Sequence, residues 1–145
     1  MFTALRPQAR TERLELLRKQ YMSEITATVA RHGRRLRVAP YVLVQPGAER
    51  HADLETIATY ATAQDWQVSS STFADMGQPR PLVERPGFTE ACRYAAQGFA
   101  DGILAVARPA ITTDNDTYAR VLEYLHQRQV FLAYLPAQPE RGVTD

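Results

Sequence analysis

Two arginines stand where an α/β fold concentrates its chemistry. Arg85 lies in Glu84-Arg85-Pro86-Gly87-Phe88, a loop running into a helix, and Arg108 follows the apolar run Gly102-Ile103-Leu104-Ala105-Val106. A guanidinium at a strand end can offer paired donors to a phosphate or a carboxylate. The same group can instead close an internal ion pair, and Asp75 and Glu84 are the acids at hand. If Arg85 and Arg108 shared one pocket, the chain could sense a small anion.

Other chemistries find less support. The turn Gln45-Pro46-Gly47-Ala48-Glu49-Arg50 has a single glycine, with neither Gly-x-Gly-x-x-Gly nor Gly-Lys-Ser/Thr, so no nucleotide cofactor is expected. His32, His51 and His126 are far apart and lack a second ligand at helical spacing, so no metal is expected. Cys92 is the one cysteine, on an alanine-rich stretch; it fits a small buried apolar residue and excludes an internal disulfide. A reducing compartment, the cytoplasm, is the expected address. No apolar run approaches the ~20 residues of a membrane span, and 1–30 lacks the core of a signal peptide.

The charge is unevenly placed. Residues 1–40 hold nine basic side chains, Arg31, Arg34, Arg35 and Arg37 among them, against three acids, while the remainder is acidic on balance. Such a segment suits either nucleic acid or an acidic surface, its own or a partner's. If four of these arginines met duplex phosphates, affinity would fall with a log–log salt slope of about −3.6.

The elements that must position these groups follow from periodicity. Pro7 to His32 reads as one amphipathic helix, with Leu14, Leu17, Tyr21, Ile25 and Val29 three and four apart and Gly33 as its stop. Strands are expected at 38–44, 66–73, 102–106 and 130–135, and helices at 52–63, 88–98 and 117–128. Strand and helix in alternation favour parallel neighbours and right-handed crossovers. The expected architecture is a three-layer, flavodoxin-like α/β domain over 37–136, with a mostly parallel four- or five-stranded sheet. A basic helical extension (1–36) precedes it and a polar tail (137–145) follows. Any site belongs at the carboxyl ends of the strands, where Gln45, Arg108 and Pro136 fall.

The segment from Tyr41 to Leu135 resembles the catalytic domain of the serine recombinases, the resolvase and invertase group. The resemblance is carried by Tyr41-Val42-Leu43-Val44-Gln45, Phe73-Ala74-Asp75-Met76-Gly77, Glu84-Arg85-Pro86-Gly87-Phe88, Ala100 to Ile111, and Arg128-Gln129-Val130-Phe131-Leu132, in that order. It implies a resolvase-like fold and a place in DNA recombination. Family members carry Tyr-x-Arg-Val-Ser on the first strand; here Leu43 stands at the arginine's place and Gln45 at the nucleophile's. Ala107 replaces an aspartate and Ile111 an arginine, while Asp75, Arg85 and Arg108 are retained. Losing a covalent nucleophile costs an enzyme that works through one on the order of a millionfold.

The expected function is therefore a catalytically inactive member, a pseudoenzyme acting as a protein-interaction or regulatory module in DNA metabolism. A DNA-binding regulator using the basic segment is the alternative, and an active recombinase the third. Its partners would be a second copy or another protein, with DNA contacts at Arg31, Arg34, Arg35, Arg37, Arg85 and Arg108, and no membrane. Leu14, Leu17, Tyr21 and Ile25 are the expected self-association seam of a homodimer.

Overall fold

A computed structural model describes residues 7–44, 50–77 and 80–137. The first helix, α1 (Pro7–Arg31), is followed by β1 (Arg37–Val44) and α2 (Arg50–Ala63). Next come β2 (Gln67–Val68), β3 (Phe73–Met76) and α3 (Pro86–Tyr94), which runs on through one wide turn at Ala95–Phe99. Then β4 (Gly102–Ala105), α4 (Asn115–Gln127) and β5 (Phe131–Tyr134) complete the described chain. Gly33 ends α1 at a φ of 68°, a left-handed conformation that a side chain would strain.

All strand pairs are parallel, in the order β2–β1–β4–β5, with β3 also paired to β1. Because β2 and β3 share one side of β1, they act as a single interrupted strand, and the spatial order is that of a flavodoxin-like sheet. The continuous strand expected over 66–73 is thus corrected. Leu36 and Val38 accept from Gln67 and Ser69, and Val44 from Gly77, whereas Arg37 accepts from Asp101 on the other side. Even-numbered residues of β1 therefore face β2 and β3, and at Pro40 that face has no N–H to give. Opposite it, between the pairs Val38–Val68 and Tyr41–Phe73, the neighbouring strand takes up two extra residues and leaves the sheet.

Two apolar layers sandwich the sheet. Tyr41, Phe88, Ile111, Tyr118 and Leu125 centre one of them; Val38, Ile57, Ala61 and Phe131 centre the other. The long α1 lies beside β5 and reaches both layers, Leu14 joining the first, Ile25 and Val29 the second. Its seam therefore meets the chain's own body: Leu14 and Ile25 are buried, Leu17 and Tyr21 half-buried. Of the expected self-association seam, Leu14 and Ile25 are thus taken out of water within the subunit, while Leu17 and Tyr21 keep part of their surface exposed. Arg18, also on α1, is buried; it holds Glu15 through two hydrogen bonds and donates to the Leu132 carbonyl of β5 at 2.7 Å. None of the described helices is long and apolar enough to cross a membrane.

Candidate functional site at the carboxyl edge

The first strand delivers Tyr41 and Leu43 into the apolar layer, so both are buried, with Leu43 in register with Asp75 of β3. The carboxylate of Asp75 accepts three bonds: from the Tyr41 hydroxyl at 2.7 Å and from the backbone N–H groups of Gly87 and Phe88 at 2.8 and 2.9 Å. Those N–H groups belong to the first turn of α3, where helix donors have no partner of their own. Asp75 thus caps α3 and ties it to the sheet. Burial, and then the hydrogen bond to Asp75, push the Tyr41 phenol well above its ordinary pKa, while Arg85 pulls the other way.

Each residue of the Arg-Pro-Gly-Phe element has its own structural task. Arg85 is buried and donates through Nε to the Arg80 carbonyl and through Nη1 to the Ala110 carbonyl, both at 2.8 Å. Pro86 opens the helix at a position where a missing N–H costs nothing. A side chain at position 87 would put its Cβ 2.1 Å from the Ala74 carbonyl oxygen, so glycine is required for α3 to approach β3. Phe88 meets the Tyr41 ring edge-on, centroids 5.2 Å apart.

Arg108 serves a second cluster. It opens a short 3-10 turn, Arg108–Ala110, donating to the Thr112 carbonyl at 3.0 Å and to Asn115 Oδ1 at 2.8 Å, with its guanidinium 4.0 Å from the Tyr118 ring centroid. The Tyr118 and Tyr134 hydroxyls are 2.6 Å apart, and Arg18 sits 4.9 Å from the Tyr134 ring centroid. Burial raises the pKa of both phenols. Arg85 and Arg108 therefore engage the same 108–112 segment at different points and direct their hydrogen bonds to different partners. Their partners correct the expected ion pairs: backbone carbonyls and an amide, rather than Asp75 or Glu84.

Ile111 is fully buried in the first layer, and Gln45 lies outside the described residues. Within the basic segment, Arg34 grips Asp101 with two bonds at 2.7 and 2.9 Å, and Arg37 lies 3.5 Å from the same carboxylate. Burial alone would raise the pKa of Asp101, but the bonds from Arg34 and the Arg37 N–H hold it below the ordinary value. Arg35 pairs with Asp65 at 3.5 Å, and Arg31 donates to Thr28. Among the described residues no cluster of three or more His, Cys, Asp or Glu is placed to hold a metal ion.

Among the described residues three hollows lie at this end of the fold, one of about 500 Å³ beside β3 and the first turn of α3, with Arg50, Ala74, Gly87 and Arg93 in its wall. A small cleft of about 220 Å³ sits between the ends of β1 and β4, with Tyr41, Leu43, Asp53 and Ala107 in its wall. A groove of about 910 Å³ runs between α3 and α4, over Leu82, Phe88, Cys92 and Val121. Sequence reasoning missed this groove: Val83, 89% exposed, lies between Leu82 and Glu84, and no local pattern marks it as surface. Tyr124, 43% exposed, lines it from α4.

No protein-family model matches the chain, and no curated protein matches it. Solved structures do. The N-terminal catalytic domain of TP901-1 integrase superposes with a TM-score of 0.59 at 24% identity, over 68% of this chain and 76% of that one. The C-terminal catalytic domain of ISC1926 TnpA, an IS607-like serine recombinase, gives 0.60 at 16% identity, over 75% and 74%. These matches correct the expectation that the chain is no enzyme. Both are catalytic domains, and the position on which that expectation turned, Gln45, is outside the described residues. With its five-stranded parallel sheet, its α3 capped by Asp75 and these two matches, the chain has the α/β fold of serine recombinase catalytic domains.

Proposed function

We propose that this serine-recombinase-like domain works in DNA metabolism as a protein-interaction module, with the groove between α3 and α4 as its docking surface. The observation that carries the reading is the groove itself: about 910 Å³, floored by apolar side chains, with Val83 and Tyr124 held out in water at its margin. Exposed apolar surface gathered in a concavity stabilises an occupant by leaving water, at roughly 25 cal/mol per Å² of apolar area covered. The DNA setting rests on the likeness to an integrase and a serine recombinase. Direct DNA contact through the basic segment is less favoured, because Arg34, Arg35 and Arg37 are matched to Asp101 and Asp65.

A fluorescein-labelled peptide helix with one leucine stripe and an uncharged glutamine–serine face tests this reading. Its anisotropy should rise on titration with the full chain and stay flat with Val83→Asp or Tyr124→Asp, whose exposed positions leave the fold intact. A flat titration with the folded wild-type chain overturns it.

A further inference from the structure

We infer that the occupant of the α3–α4 groove is an amphipathic helix whose apolar stripe is flanked by acidic side chains, contributed by a protein other than this one. The inference rests on the docking reading above and adds the chemistry of the partner. Among the described residues four charged side chains line the groove, and three of them are arginines: Arg80, Arg85 and Arg120. Arg85 is buried and committed to two carbonyls, but Arg80 and Arg120 are exposed, and no described carboxylate forms an ion pair with either. The one acid among the described lining residues, Asp114, is the N-cap of α4; its carboxylate accepts from the Thr117 N–H and hydroxyl at 2.8 and 2.7 Å. Arg120 lies near enough to help hold Asp114 below its ordinary pKa, after those hydrogen bonds. The rim is thus cationic over an apolar floor, and long-range attraction selects acids on either side of the buried stripe.

The shape selects a helix. The groove is walled by two helices and the loops at their ends, and no strand of the sheet lines it, so an extended peptide would find no ladder of backbone donors and acceptors there. A third helix can instead seat its side chains between those of α3 and α4. The chain's own described helices do not qualify as that third helix. The apolar seam of α1 is spent on both core layers, α2 buries Ile57 and Ala61, and α1 is basic rather than acidic.

Three fluorescein-labelled peptides with the same leucine stripe test the inference: one flanked by glutamate, one by glutamine and serine, one by lysine. Against the full chain at low salt, the glutamate peptide should bind about tenfold more tightly than the lysine peptide, the effect of two exposed charge contacts. The double variant Arg80→Glu/Arg120→Glu should reverse that order, and Val83→Asp should abolish binding of all three. Equal affinity of the glutamate and uncharged peptides, unmoved by the charge reversal, overturns the acidic partner while leaving the docking reading in place. Failure of every peptide to bind overturns both. Light scattering supplies a further arm: a dimer that dissociates in Val83→Asp assigns the groove to a second copy and overturns a separate partner.

Discussion

Along β5, the last strand on one side of the sheet, α1 lays a helix of 25 residues, and an arginine reaches from it to the Leu132 carbonyl. Along β2 and β3, on the opposite side, the strand is broken opposite Pro40 and carries Ser69-Ser70-Ser71-Thr72 in the gap. The covered side is apolar, with Phe131, Leu132 and Ala133 all buried. The uncovered side is polar and short, Val68 half-buried and Ser70 to Thr72 exposed. Unpaired strand edges invite pairing with other chains, and proteins blunt them either by covering them or by breaking them. Here one sheet uses both devices. The choice of device sets which residues each side can hold: apolar ones under a helix, hydroxyls beside a proline.

The comparison yields effects of graded size. Ile25→Ala, under the covered side, should lose about 2–5 kcal/mol in urea unfolding, whereas Val68→Ala, on the broken side, should lose distinctly less. Equal losses would break the comparison. Arg18→Met keeps the stem's packing but leaves the Leu132 carbonyl without its donor, so a loss of about 1–3 kcal/mol is expected. A thermal scan showing no drop would mean that α1 seals β5 by apolar contact alone. Smallest of all, Ser70→Lys should change stability by no more than about 0.5 kcal/mol, because the residue is exposed and outside the ladder. A larger loss would show that the gap carries packing of its own.

Much of this architecture is written in local patterns. The three- and four-residue spacing of α1, the apolar run of β4 and the alternation of strand with helix are all short-range signals, and the parallel sheet follows from their order. The break between β2 and β3 is not local. Its cause, Pro40, sits about thirty residues away on a neighbouring strand, where only the paired register reveals it. The same holds for the candidate site. Asp75, Arg85 and Arg108 are visible as polar residues near strand ends, but sequence shows possible side-chain partners and hides backbone ones. Arg85 was legible as a candidate for Asp75 or Glu84, whereas its observed acceptors are two carbonyls. The groove between α3 and α4 escaped for a related reason: its walls come from segments separated in sequence, joined only once Arg85 reaches Ala110.

The bond from Arg18 to Leu132 spans 114 positions, and α1 also reaches α4 through Arg10 to Asp116 and through Glu24 to His126. During synthesis α1 is made early, yet the strand it must cover is made last of the described elements. Until β5 has been made, Leu14, Ile25 and Val29 have no complete surface to join, and the helix is stranded with its apolar seam in water. Contacts this distant close slowly, and apolar surface left exposed meanwhile is prone to aggregate. The device that seals the finished edge is thereby the one that makes the unfinished chain vulnerable.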